Sequence, residues 1–141
     1  SDPDARVQRL SVTASSGLSP FLRADHSPSI QSFALEREQP IPALALAMWL
    51  DALGEHCGAL MLRLKGLVAV EEMPGRPAVI HAVQHAVAEP EWLERWPSGD
   101  RRTRIVFIAE RMPRYFPVRL LEAIEAEARD ETYRQGLPAL P

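Results

Sequence analysis

The chain has 141 residues, 46% of them hydrophobic, and a net charge of -3. That is enough for one domain with a sizeable core but not two, and interspersed acidic and basic residues leave no basic field that would make nucleic acid the default partner. No apolar run approaches the roughly 20 residues needed to span a bilayer, no secretory signal peptide is visible, and the single cysteine, Cys57, excludes an intramolecular disulfide framework and a CxxC-type zinc site, which fits a reducing cytoplasm.

The chain opens Ser1-Asp2-Pro3 with no initiator methionine, and the expectation is a piece of something longer. Residues 1–29, with seven serines, Gly17, Pro20 and Pro28, lack periodicity and read as a linker or N-terminal arm. Their apolar members Leu10, Val12, Leu18, Phe21 and Leu22 exceed what a pure linker needs.

Ile30 to Leu35 is a short strand candidate. Pro42 opens a helix in which Ala45, Leu46, Trp49, Leu50 and Leu53 share a face, with Gly54 as its stop. From Ala59 to Val70 apolar and polar residues alternate, which predicts a half-buried strand with Leu60, Leu62 and Leu64 inward and Met61, Arg63 and Lys65 outward. Glu71 to Pro77 is a loop, and Ala78 to Val87 a return strand that completes a hairpin. The segment holding Trp92 and Trp96 is a loop or single helical turn. Arg104 to Ala109 is a buried strand, and Pro117 opens a last helix with Leu120, Leu121, Ile124 and Ala128 on one face. The expected domain covers 30–130, and an irregular tail covers 131–141. The fold class is α+β: an antiparallel sheet with two helices on one face, in strand-helix-strand-strand-strand-helix order.

Candidate site residues are few. Lys65 is the single lysine beside fifteen arginines, so it marks a place for a compact point charge rather than a planar guanidinium. With Arg63 it forms a candidate partner surface on the outward sheet face. Trp92 and Trp96 are further partner-surface candidates, since tryptophan anchors are enriched at interface hot spots. His81 and His85 read as H-x-x-x-H, a metal-ligand spacing on a helix. On a strand that offset separates the α-carbons by about 13 Å, too far to share an ion without further ligands between them. His26, in the arm, is the other metal candidate. His56 and Cys57 stand at a helix end, where a cationic histidine is favoured by the dipole. Glu71 and Glu72 are adjacent on extended chain and do not converge on a substrate. The positive run Arg101-Arg102-Thr103-Arg104 reads as a solvated loop. No pairing of nucleophile and base stands out, which removes a stand-alone hydrolase.

Leu60-Met61-Leu62-Arg63-Leu64-Lys65-Gly66-Leu67-Val68 resembles the "llRvKGil" strand of the C-terminal domain of CobW-type GTPases, which include cobalamin-synthesis CobW-like and nitrile hydratase activator-like members. Other landmarks follow in the family's order: His26 and Ile30-Gln31-Ser32, then Trp49-Leu50, Ala82-Val83-Gln84, Trp92 or Trp96, and Arg104-Ile105-Val106-Phe107-Ile108. The resemblance spans about residues 26 to 128. Two features depart from it: Ala109 replaces a glycine after the last strand, and the histidine-rich insertion of some members is reduced to His26.

The resemblance implies a two-part parent, a P-loop GTPase followed by this domain, that handles GTP, Mg and a transition metal (cobalt, zinc or iron). This sequence contains neither G-x-x-x-x-G-K-[ST] nor the family's CxCC motif, so the domain itself is expected to hold no cofactor and to be no enzyme. The implied partners are the GTPase domain of the same parent and a metalloprotein or metal-chelatase client, with no nucleic acid and no membrane. The rival expectation is an independent ferredoxin-like effector- or ligand-binding domain.

Overall fold

The computed structural model describes residues 30–136. The elements run β1 (Ile30–Arg37), α1 (Ala43–Cys57), β2 (Met61–Val68), β3 (Ala78–Val83), β4 (Ala86–Val87), β5 (Glu91–Trp92), β6 (Thr103–Glu110) and α2 (Tyr115–Gly136). The sheet order is β1-β6-β2-β3-β4, with β5 also paired to β3, and every pairing between strands is antiparallel. Because β1 and β2 both run antiparallel to β6, they are parallel to each other, and α1 is the crossover of a split βαβ unit. The α+β class, the antiparallel sheet and the two helices on one face are as the sequence predicts.

β6 shows how pattern becomes architecture. Thr103, Ile105, Phe107 and Ala109 are buried while Arg104 and Val106 are exposed and Ile108 is half-buried, a strict period of two that gives the sheet a covered and an open face. On the covered face Phe107 stacks on Phe33, with ring centroids 5.2 Å apart, and takes the edge of Trp49 from α1 at 6.1 Å. Trp49 Nε1 donates to the Pro117 carbonyl at 3.0 Å, so one side chain joins the sheet, α1 and the start of α2. Arg37 at the end of β1 pairs with Glu125 of α2 at 2.6 Å, largely out of solvent.

Five sequence expectations are corrected. β2 does not alternate from Leu60: Met61 pairs with Ala109 and Arg63 with Ile108, so Leu62 is the extra residue of a β-bulge. Met61 is therefore fully buried, and Leu60 is 39% exposed. Gly54 does not stop α1; it is buried within the helix, which continues to Cys57. The return strand does not run unbroken from Ala78 to Val87. It turns at Gln84-His85, where Gln84 has φ 53°, and comes back as β4. Trp92 lies in a two-residue strand, β5, rather than a loop or helical turn. At the other end, α2 continues through Gly136, past residue 130.

The start of α1 is closed from elsewhere in the chain. Pro42 precedes the first helical residue and offers no side-chain cap, and the free Ala43 N–H is taken at 2.9 Å by Glu72 Oε1. Its neighbour Glu71 lies 3.6 Å from Arg129 of α2. The two carboxylates thus anchor different helices, consistent with their failure to converge.

Candidate functional site: the open face of the sheet

Both helices cover the face carrying Leu64 and Phe107, which leaves Arg63, Lys65 and Leu67 of β2 on the other. There the sheet floor and the segment from Leu93 to Arg102 enclose a groove of about 700 Å³. Its lining includes Arg63, Lys65, Arg102 and Arg104 but one carboxylate, Asp100. A chain of net charge -3 has therefore gathered, among the described residues, an excess of positive charge on the sheet face that its helices leave open.

The register places these groups closely. Lys65 lies opposite Val106, Arg63 opposite Ile108, and Leu67 between Arg104 on one side and Val79 on the other. Asp100 holds Arg102 by two contacts, 3.0 Å from Oδ1 and 3.1 Å from Oδ2, and Glu36 of β1 approaches it at 3.7 Å. These hydrogen bonds to Arg102 hold the Asp100 carboxyl below the usual carboxylate range, and Asp100 in turn raises the Arg102 guanidinium further. Among the described residues neither Arg63 nor Arg104 forms a salt bridge.

The lysine is followed by glycine for a packing reason. Gly66 lies opposite Ile105 and Ile80, and any β-carbon there would strike the β6 backbone. The dipeptide thus combines an outward charge with an inward close approach of strands.

The other candidates are placed as follows. Trp92 is 38% exposed at the sheet edge, whereas Trp96 is buried, its Nε1 donating to the Pro74 carbonyl at 3.1 Å, and forms a wall of the groove. Arg76 ties this segment down by donating to the Leu93 carbonyl at 2.8 Å. His81 is exposed next to Lys65, while His85 Nδ1 donates to the Gly54 carbonyl at 2.7 Å, on the helix side. The two imidazoles do not converge. Gly54 and Gly58 make room for that contact, since β-carbons there would meet Val87 and the His85 ring. His56 is exposed in the last turn of α1, and burial pushes the Cys57 thiol up, away from reactive thiolate character. Among the described residues no group of three or more His, Cys, Asp or Glu is arranged to hold a metal ion. His26 lies outside the described residues.

Sequence reasoning missed Arg102 and Arg104 as members of this face. Arg104 was detectable, because it shares the outward parity of Val106 and Ile108 on one strand. Arg102 precedes the strand, and its direction depends on Asp100 and Glu36.

The profile of the cobalamin synthesis protein CobW C-terminal domain matches residues 30–126, most of the chain. The chain belongs to this family. Its fold is similar to that of the Zn(II)-bound YjiA GTPase from E. coli, with a TM-score of 0.60 and 18% identity, covering 68% of this chain and 30% of that one. A Zn(II)-bound triple mutant of YjiA gives a TM-score of 0.55 and 20% identity, covering 72% of this chain and 29% of that one. Neither likeness carries more than the fold, and the chain spans under a third of the length of either structure. No curated protein sequence matches. Among the described residues no helix of this CobW C-terminal domain is long and apolar enough to cross a membrane.

Proposed function

We propose that this CobW C-terminal domain is the accessory part of a cytoplasmic, GTP-dependent metal-insertion protein, and that its open sheet face docks a partner, either the GTPase domain or the client. The observation that carries the reading is the groove itself: a family accessory domain without a phosphate-binding motif presents cations and apolar residues on the one sheet face its helices leave uncovered. The nucleotide, Mg and the transition metal belong in this reading to the parent. His81 and His85 point to different sides and supply no ligand set here.

Expression of the full coding region tests the proposal. The expected result is an in-frame P-loop upstream, with GTP hydrolysis retained and metal delivery lost when residues 30–136 are deleted. A second reading, an independent ferredoxin-like ligand-binding domain, draws on the split βαβ topology and on a groove volume within the range of about 300–1,000 Å³ common for small-molecule sites. A start codon adjoining Ser1 with no P-loop upstream favours that reading over the first.

A further inference from the structure

We propose that the groove binds an acidic, extended segment of a partner protein with an apolar residue at its centre. This names the occupant of the docking face and so rests on the reading above. The first argument is the arrangement of side chains within the groove. On β2 and β6 four outward positions form a square: Lys65 opposite Val106, and Leu67 opposite Arg104. One diagonal is apolar, Val106 to Leu67, and continues to Ile108 along β6 and to Val79 across β3. The other diagonal is cationic, so Lys65 and Arg63 lie on one flank of the apolar stripe, and Arg104 and Arg102 on the other.

The second argument is spacing. Arg63 and Lys65 are two residues apart on a strand, about 7 Å along the chain, and an extended segment presents its own same-side groups at that repeat. Carboxylates at alternate positions therefore match Arg63 and Lys65, and an apolar side chain two positions further on falls over Leu67 of the stripe. The third argument is openness. A small ligand needs most of its surface enclosed, whereas this groove is walled by the segment from Leu93 to Arg102 and otherwise lies open, with Val106 41% exposed. An extended chain fits an open face of this kind. Arg102 is already engaged by Asp100, so Arg63 and Arg104, which form no salt bridge among the described residues, carry most of the recognition.

The probe is a fluorescein-labelled peptide, Glu-Ser-Glu-Ser-Leu-Ser-Glu-Ser-Glu, whose extended form places four carboxylates and one leucine on the same side. A second peptide replaces each Glu with Gln. Binding to the intact chain is measured by fluorescence anisotropy, together with backbone amide NMR shifts of the unsubstituted protein. The expected result is salt-sensitive binding of the Glu peptide, weakened about tenfold or more by Arg63→Glu with Arg104→Glu and unchanged by Arg134→Glu, with shifts centred on Leu67, Val79, Val106 and Ile108. Melting curves of the variants show whether the charge reversals leave the domain folded, and the NMR map needs no variant. Equal binding of the Gln peptide, or shifts centred away from the groove, overturns the proposal. So does tighter binding of a dT oligonucleotide than of the peptide, which assigns the face to nucleic acid, or full displacement by inorganic phosphate, which assigns it to small anions. If no peptide binds but Arg63→Glu still blocks metal delivery by the parent, the docking reading stands and the acidic segment falls.

Discussion

Gly66 of β2 faces Ile105 of β6 so closely that a β-carbon at residue 66 would lie 2.6 Å from the Ile105 α-carbon. Nothing flexible separates them, because the obstacle is backbone. Gly66→Ala should therefore push β2 from β6 and destabilise the domain by about 1–3 kcal/mol, the usual range for overpacking. Thermal unfolding checks this. A melting temperature unchanged by Gly66→Ala would mean that the two strands separate easily.

Arg37 and Glu125 form a second sensitive pair, joining β1 to α2 with Glu125 only 5% exposed. Truncating one partner leaves the other charge largely buried. Arg37→Ala should cost about 2–3 kcal/mol, somewhat below a fully buried pair, and Arg37→Met with Glu125→Leu should recover much of the loss. Denaturant titration of the single and double variants measures both.

Thr103 is fully buried and its Oγ1 accepts the Ala69 N–H at 2.9 Å. Thr103→Val keeps the shape but strands that donor, so a loss of about 1–3 kcal/mol is expected. Hydrogen exchange at Ala69 should quicken in the variant.

Acid should release Asp100 from Arg102. The carboxyl has a depressed pKa in the folded state, so its contribution is present above the ordinary carboxylate value and is lost as pH falls through the lower, folded value. Side-chain NMR titration should show Asp100 among the last carboxylates to protonate. Titration at an ordinary value would mean that the contact with Arg102 does not persist in solution.

The main elements were legible because their patterns are strong. β6 is an unbroken apolar run from Ile105 to Ala109, which marks a strand but not that Val106 would be exposed, and the apolar face of α1 recurs at helical spacing from Ala45 to Leu53. The bulge at Leu62 was not, since Leu60, Met61, Leu62 and Leu64 are all apolar and any of them suits the core. Gly54 read as a helix stop because its packing role, the approach of the β3–β4 hairpin, depends on Val87 more than thirty positions later. The turn at Gln84-His85 carries no Gly or Asn, the usual residues for positive φ, and so left no local signal. For the site, Arg63 and Lys65 were readable from parity alone. Their union with Arg102 and Arg104 follows from the β2–β6 register, which no local pattern specifies.

The central claim is that the outward charges of β2 serve a partner rather than the fold, and comparison of Lys65→Ala with Leu64→Ala tests it most directly. Leu64 is fully buried, so its truncation should lower stability by about 2–5 kcal/mol, whereas Lys65→Ala should stay within about 0.5 kcal/mol. Measured in the full-length parent, Lys65→Ala should nevertheless impair GTP-linked metal delivery while melting near the unsubstituted protein. If Lys65→Ala melts the domain as badly as Leu64→Ala, or leaves metal delivery untouched, the docking surface is contradicted.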